Sequence, residues 1–240
     1  MPDPTLQIGF VLFPRLTQLD LTGPFEVFAR IPDAKVHLAW KSLDPVIADT
    51  GLGLLPTVTF ETCPDLDVLC VPGGPGVNAL LDDDAVLAFL RRQGAHARYV
   101  TSVCTGALVL GAAGLLEGYR AATHWASMDF LESFGAVPTR TRVCTDRNRI
   151  TGGGVTAGID FGLRLAAELR GQATAERIQL YMEYDPDPPF TAGSPDTAPA
   201  AALDAFRTGG AAMIEERRAA VARAAAKLRQ PQPGTSASDR

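Results

Sequence analysis

The chain has 240 residues, 46% hydrophobic and 20% charged, a composition typical of a globular protein long enough to bury a sizeable core. Its formal net charge of −5 at pH 7 argues against a general nucleic-acid binder, and its longest apolar run, about residues 107–116, is too short to span a membrane. The four cysteines lack C-x-x-C spacing and no basic-then-apolar leader is present, which predicts reduced thiols and a cytoplasmic protein.

Apolar runs that stop at glycine or proline alternate with amphipathic stretches of helical length. In the first half they predict a strand at 7–13, a helix from Thr22 or Gly23, a strand at 35–41, a hairpin at 46–60 added to the main sheet, a strand at 67–71 and a helix at 82–93. In the second half they predict a strand at 98–103, a helix ending near 116, a strand at 120–125, a helix at 126–134, strands at 142–144 and 149–151, and helices at 156–169, 174–184 and 200–228. Such alternation predicts an α/β fold, a three-layer sandwich with a mostly parallel central sheet.

These patterns divide the chain into three segments. Residues 1–184 are predicted to form the α/β domain, residues 185–228 a C-terminal arm and helix that pack on that domain or on a dimer partner, and residues 229–240 a disordered tail. The proline-rich part of the arm, 186–199, is long enough to act as a cover. Arginines alternate with glutamates and alanines in the last helix, which predicts a solvated face containing Arg217, Arg218 and Arg223.

Cys104 follows a short β-branched strand directly and precedes a helix rich in small residues. This layout is typical of a nucleophile elbow, a strand-to-helix bend that holds a reactive side chain away from the backbone. The free N–H groups at the helix start would favour thiolate over thiol. Most single cysteines are small buried hydrophobes, so the interpretation depends on neighbouring groups.

Asp20 and the pair Gly73-Gly74 are predicted at the ends of two other strands, at the edge of the sheet where α/β proteins bind ligands. A carboxyl group buried near a thiolate has a raised pKa and can move a proton near neutral pH. The simpler interpretation of Asp20 is a helix cap. The glycines could present backbone N–H groups to an anion, or could simply make a tight turn.

Two further groups are candidates near the cysteine. Thr105 could hydrogen-bond substrate or water, or could cap its own helix. His124 could approach from the next strand, but a histidine packed at a strand end is the favoured interpretation over a catalytic base. Val155 and Phe28 are expected in the wall of the pocket. No cluster of metal-ligating residues is present, so no metal site is predicted.

Three motifs, residues 68–74, 101–106 and 151–154, resemble those of the DJ-1/PfpI superfamily, which has the class I glutamine-amidotransferase-like fold. Further stretches are similar to the isocyanide (isonitrile) hydratase branch of that superfamily: 18–24, 123–125, 151–160 and 192–199. The resemblance implies a flavodoxin-like, DJ-1-like sandwich with a cysteine nucleophile on the elbow.

The activity implied by this resemblance is hydration of an isocyanide to an N-substituted formamide. Cys104 would form a covalent thioimidate, Asp20 would act as general acid and base, and Thr105 would orient the reacting groups. Gly73, Gly74 and Val155 would contact substrate. The resemblance implies no metal or organic cofactor, an isocyanide and water as the only partners, no nucleic acid or membrane partner, and a homodimer.

Two other functions stay open on this fold. One is a glyoxalase or deglycase acting on reactive carbonyls, and the other is a cysteine-based sensor or regulator. Some AraC-type regulators resemble the Asp20 and Thr-His-Trp motifs but add a helix-turn-helix domain, and nothing after Tyr184 is long or basic enough to be one. Thr105 stands where PfpI-type proteases have histidine, which argues against a protease.

Overall fold

The computed structural model describes residues 5–230 of the chain. Its first half contains β1 (Leu6–Val11), α1 (Gln18–Phe28), β2 (Ala34–Trp40), β3 (Val46–Ile47), β4 (Gly53–Leu54), β5 (Val58–Thr59), β6 (Val68–Val71), α2 (Val77–Leu80) and α3 (Asp84–Gly94). Its second half contains β7 (Tyr99–Val103), α4 (Gly106–Ala112), β8 (Arg120–Ala121), a 3₁₀ helix (Trp125–Phe134), β9 (Val137–Pro138), β10 (Val143–Asp146), β11 (Arg149–Gly152), α5 (Ala157–Arg170), α6 (Gln172–Tyr181) and α7 (Ala200–Leu228).

The main sheet has seven strands in the order β10-β11-β7-β6-β1-β2-β5. All neighbours are parallel except β10 and β11, which are antiparallel. Helices α1, α5 and α6 pack together on one face, while α2, α3, α4, the 3₁₀ helix and α7 pack together on the other. This architecture confirms the predicted three-layer sandwich, and it brings the carboxyl ends of β1, β6 and β7 to one edge.

The central strands are buried on both faces, which explains their unbroken apolar sequences. All four residues of β6 are buried, and the aromatic side chain of Phe10 from β1 lies 5.7 Å from that of Phe28 in α1. Phe28 in turn packs edge-to-face on Phe161 of α5, with ring centroids 5.5 Å apart. Each such side chain contributes about 2 kcal/mol by leaving water, so these contacts fix α1 and α5 against the sheet.

Helix α1 begins earlier than predicted. Thr17, rather than Thr22 or Gly23, is its N-cap, and Pro24 lies inside the helix instead of in its first turn. The backbone N–H of Thr17 is held by the carbonyl of Gly73 at 2.9 Å, and its own carbonyl accepts the N–H of Asp20. Because these contacts start the helix before the proline, Asp20 lies within the first helical turn rather than in the preceding loop.

The segment 46–60 does not add a hairpin to the main sheet as predicted. Strands β3 and β4 form a separate two-stranded sheet, and only β5 joins the main sheet, parallel to β2 at its edge. The hairpin is attached instead to the loop after β1, where the N–H of Arg15 donates to the carbonyl of Ile47 at 2.8 Å. The predicted strand at 120–125 is also shorter, because its last residues start the 3₁₀ helix.

Helix α7 has the predicted bounds, but its predicted solvated face includes one buried residue. Arg217 is only 3% exposed, whereas Arg218 and Arg223 are exposed as expected. Arg217 lies in line with the apolar residues that pack on the domain, at positions 220, 221, 224 and 225, which share one helical face. The predicted disordered tail, 229–240, lies outside the described residues except for its first two positions.

Within residues 5–230, no helix combines the length and apolarity needed to cross a membrane. The same range contains no group of three or more His, Cys, Asp or Glu side chains arranged to hold a metal ion. The proline-rich part of the C-terminal arm, 186–199, is irregular and mostly exposed, and it connects α6 to α7.

Candidate active site

Cys104 lies at the junction of β7 and α4 with a φ angle of +54°. Its backbone N–H donates to the carbonyl of Gly152 at 3.1 Å, and its carbonyl accepts the hydroxyl of Thr123 at 2.8 Å. A positive φ is uncommon for a residue with a side chain and costs about 1–3 kcal/mol, so it persists only where neighbours enforce it. Hydrogen bonds to both backbone groups of Cys104 provide that enforcement and form the elbow.

Asp20 is fully buried and faces the elbow from the first turn of α1. Its Oδ2 accepts the backbone N–H of Gly73 at 2.8 Å, while Oδ1 has no hydrogen-bond partner among the described residues. The carboxyl group does not cap its own helix, because its acceptor capacity is turned toward the end of β6. The structure therefore brings Asp20, Gly73 and Cys104 together at one edge of the sheet.

Burial raises the pKa of the Asp20 carboxyl from its ordinary value of 3.8 to about 7. Its hydrogen bond from Gly73 and its interaction with the Cys104 thiol lower the pKa and partly offset burial, while the charge of Asp49 raises it further. A buried carboxyl group that titrates near neutral pH can both donate and accept a proton there.

The Cys104 thiol has a raised pKa, contrary to the prediction that the helix start would favour thiolate. Burial is the largest cause and the charge of Asp20 the second, and together they outweigh the N–H of Thr105 and the charge of Arg217, which lower it. Desolvation has the largest effect on the pKa of the thiol because the site is almost closed to water. Two negative charges are disfavoured here, so Cys104 and Asp20 hold at least one proton between them near neutral pH.

Thr105 and the glycine loop after β6 are joined by hydrogen bonds. The N–H of Gly74 donates to Thr105 Oγ1 at 3.0 Å, and that hydroxyl approaches the carbonyl of Gly74 at 3.4 Å. A side chain at Gly73 would lie 2.5 Å from the backbone nitrogen of Thr105 and 2.8 Å from Asp20 Oδ2, so only glycine fits. Thr105 does not cap its own helix with its side chain.

The N–H groups of Gly73 and Gly74, expected to face an anion, already have partners within the protein. Gly73 donates to Asp20 and Gly74 donates to Thr105. Stabilising a substrate charge with them would require one of these hydrogen bonds to break. In the structure these two N–H groups fix the positions of Asp20 and of Thr105, the residue after the elbow cysteine.

We predict that Thr105→Val destabilises the protein by about 1–3 kcal/mol, because it leaves the buried N–H of Gly74 without an acceptor. Thr105→Ser keeps the hydroxyl and should lose much less. Chemical unfolding of the wild type and both variants measures this difference. Equal stability of the valine and serine variants would show that the hydrogen bond contributes nothing.

A cavity of about 530 Å³ lies beside the elbow, between the loop at Gly153 and the C-terminal arm. Val155 and Thr123 lie in its wall, and the hydroxyl of Thr123 also donates a hydrogen bond to the backbone carbonyl of Cys104. Cys104 itself is 6% exposed and is not one of the residues that line this cavity. Phe28, the other residue expected in the wall, belongs instead to the core.

His124 lines the same cavity but does not lie at a strand end. It caps the 3₁₀ helix, where its Nδ1 accepts the backbone N–H of Ala126 at 3.3 Å. Burial lowers the pKa of its imidazole, and the charge of Arg217 lowers it further. A neutral ring with Nδ1 as acceptor carries its proton on Nε2.

Sequence reasoning missed three side chains around the cysteine: Thr123, Ser127 and Arg217. The signal for Arg217 was available, since it lies three and four residues before Ala220 and Val221 on the apolar stripe of α7. Thr123 and Ser127 have no comparable signal, because their hydrogen bonds depend on how the 3₁₀ helix docks on the elbow.

Comparisons with known proteins find relatives along almost the whole chain. The model of the DJ-1/PfpI family matches residues 7–168. The chain is 60% identical over 223 residues to isonitrile hydratase of Pseudomonas putida, covering 93% of this chain and 98% of that protein. It is 30% identical over 187 residues to the HTH-type transcriptional regulator GbdR of Pseudomonas aeruginosa, covering 74% of this chain and 50% of the regulator. The crystal structure of a ThiJ/PfpI family protein from Pseudomonas syringae superposes with a TM-score of 0.88 at 51% identity, covering 92% and 95% of the two chains.

The matched region contains the elbow cysteine, the buried aspartate and the glycine loop that joins them. Its sheet order and its positive-φ cysteine agree with the fold that the motifs implied. The chain belongs to the DJ-1/PfpI family.

Proposed function

We propose that the chain is an enzyme that hydrates isocyanides to N-substituted formamides. The observation that carries this proposal is the 60% identity to isonitrile hydratase along almost the whole of both chains. The site is consistent with it, since a buried thiol and a carboxyl group that titrates near pH 7 stand together at a ligand-binding edge.

The first step is addition of the thiol to the terminal carbon of R–N≡C. The sulfur of Cys104 forms a bond to that carbon while Asp20 delivers a proton to it, giving the thioimidate R–N=CH–S–Cys. The proton lost by the thiol passes to the Asp20 carboxylate, so no net charge is created in the buried site. Starting from a thiol is compatible with its raised pKa, because the proton is transferred as the bond forms.

The second step replaces sulfur by water. Protonated Asp20 gives its proton to the imine nitrogen and accepts one from water as the water oxygen adds to the thioimidate carbon, giving R–NH–CH(OH)–S–Cys. The C–S bond then breaks, the hydroxyl proton passes to the sulfur through Asp20 to re-form the Cys104 thiol, and R–NH–CHO leaves. The sum is R–NC plus water giving the formamide, with no change of oxidation state and no requirement for a metal or organic cofactor.

The cavity beside the elbow would hold the R group. Val155 supplies apolar surface there, and Thr123 in the same wall donates a hydrogen bond to the backbone carbonyl of Cys104. The isocyanide group is linear and narrow, which suits a nucleophile that is almost buried. Thr105 would act by holding the glycine loop against Asp20 rather than by touching the R group.

We further propose that residues 1–184 act as the catalytic domain and that 185–228 complete it, in a cytoplasmic homodimer without nucleic-acid or membrane partners. The second half of α7 packs on α2, α4 and the 3₁₀ helix of the same chain. Exposed apolar side chains on the β3–β4 hairpin and its flanks offer a surface for a second copy: Leu43, Ile47, Leu52 and Leu55. A molar mass near 25 kDa in light scattering, rather than twice that value, would exclude the dimer.

The function is tested by offering an alkyl isocyanide and methylglyoxal to one preparation, after dialysis against a chelator and without added cofactor. Formamide production with little or no lactate supports the proposal. Lactate production without formamide would indicate a glyoxalase, and turnover of neither would favour a cysteine-based sensor. Loss of formamide production on chelation, with recovery on adding metal, would contradict the cofactor-free mechanism.

A further inference from the structure

Arg217 is a buried guanidinium whose partners are both neutral. Its Nε donates to Asn78 Oδ1 and its Nη1 donates to Ser127 Oγ, each at 2.9 Å. No carboxylate among the described residues forms an ion pair with it. Arginine keeps its charge at all ordinary pH values, and a buried charge is costly unless another charge compensates it.

The first partner ties Arg217 to the glycine loop. Asn78 is 4% exposed and its Nδ2 donates to the carbonyl of Met213, one turn before Arg217 in α7. It lies on α2, one turn after Gly74, whose N–H binds Thr105. The guanidinium is therefore held by the same short segment that holds the residue after the cysteine.

The second partner ties Arg217 to the backbone of the cysteine. Ser127 is 1% exposed, and its N–H donates to the carbonyl of His124 at 2.8 Å. It lies one turn after Thr123, whose hydroxyl binds the carbonyl of Cys104. Two segments that each contact the elbow, one at α2 and one at the 3₁₀ helix, thus hold the guanidinium of Arg217.

The charged groups around the thiol come from three elements. Asp20 faces it from α1 and Arg217 from α7, and these are the two charges that act on the pKa of Cys104. Glu216 also acts on Arg217 but is exposed to solvent. His124, at the start of the 3₁₀ helix, is kept neutral in part by Arg217. Arg217 is therefore the positive group that acts on the thiol alongside the negative Asp20.

We propose that Arg217 is a positioning residue for the reaction, whose fixed positive charge stabilises the negative charge that develops on Cys104 Sγ as its proton leaves. This inference rests on the role of Cys104 as nucleophile in the proposed function. It gives α7 a part in the chemistry, because the helix brings a compensating charge to a site that otherwise disfavours a thiolate.

The test is the rate of alkylation of Cys104 by iodoacetamide at fixed pH, followed by mass spectrometry of the peptide that contains it. This rate is proportional to the thiolate fraction, and it does not depend on isocyanide turnover. Removing a nearby opposite charge in Arg217→Met should slow it by about tenfold or more. Arg217→Lys keeps the charge and should retain most of the rate.

Arg223→Met is the matched control, since it removes a positive charge from the same helix but from an exposed ion pair with Asp82. Its alkylation rate should equal that of the wild type. A folded Arg217→Met variant that reacts at the wild-type rate would overturn the proposal, as would an equal loss in Arg217→Lys. If Arg217→Met does not fold, Arg217→Gln removes the charge and keeps a side chain that can hydrogen-bond: a similar loss supports the proposal and an unchanged rate overturns it.

Discussion

Replacing Cys104 by alanine is expected to lower kcat/KM for isocyanide hydration by at least about 10³-fold, because the proposed nucleophile is removed. The fold should survive, since the elbow is enforced by backbone hydrogen bonds to Gly152 and by the Thr123 hydroxyl rather than by the thiol. Mass spectrometry of the wild type quenched during turnover should show the added mass of the isocyanide on the peptide containing Cys104.

Cys63→Ala is the control for that experiment. Cys63 is half-buried and lies near Arg92, outside the site, so its loss should leave turnover unchanged. Formamide production by Cys104→Ala at more than a few per cent of the wild-type rate would eliminate the covalent mechanism. The carboxyl group would then have to activate water directly.

Asp20→Asn is expected to lower kcat by about 10²- to 10⁴-fold, the usual worth of general acid–base catalysis. The amide oxygen can still accept the N–H of Gly73, so the change removes the proton without removing the contact. The wild type should show a pH–rate profile with an inflection near pH 7, the pKa of this carboxyl group. A variant that retained full activity and the same inflection would exclude Asp20 as the proton carrier.

The same substitution should change how stability depends on pH. The folded protein keeps the Asp20 proton up to about pH 7, whereas the unfolded chain releases it above about pH 4. The contribution of the protonated carboxyl to stability is therefore complete below pH 4 and is lost as the pH rises to 7. At pH 8 ionised Asp20 costs up to about 4 kcal/mol relative to pH 4, and Asp20→Asn should remove this loss.

Chemical unfolding of the wild type and Asp20→Asn at pH 4 and pH 8 measures this effect. Asp67→Asn is a suitable control, because Asp67 also accepts a backbone N–H, from Gln7 at 2.8 Å, but is half-buried and outside the site. It should retain turnover. If the difference in unfolding free energy between the wild type and Asp20→Asn is the same at pH 4 and at pH 8, burial does not perturb the pKa of this carboxyl group.

The alternation of apolar runs and helical stretches predicted the sandwich because both faces of a parallel sheet must be covered, which leaves a strong pattern in sequence. The convergence of Asp20, Gly73 and Cys104 followed from topology alone. The start of α1 did not, since Thr17 becomes a cap only through its contact with Gly73, 56 positions later in the chain. Local signals such as Pro24 carry no information on that contact.

The electrostatics of the site were harder to predict than its location. The helix start beside Cys104 predicted a thiolate. The extent of desolvation depends on how the core packs around the thiol, and the local sequence does not indicate this packing. The many charged residues of α7 predicted a solvated face that included Arg217. In the structure Arg217 lies on the buried stripe of the helix instead. Long-range packing, rather than residue type, decides both outcomes.

The wall of the cavity at Gly193 and Asp196 is contributed by the irregular arm, whereas Cys104 and Asp20 are supported by the sheet and its helices. Exposed loops tolerate substitution and insertion far better than buried strands. On the proposed function, substrate preference can therefore diverge by changes in the arm while Cys104 and Asp20 are left untouched. An ancestor with one chemistry could in this way give rise to descendants that accept differently shaped R groups.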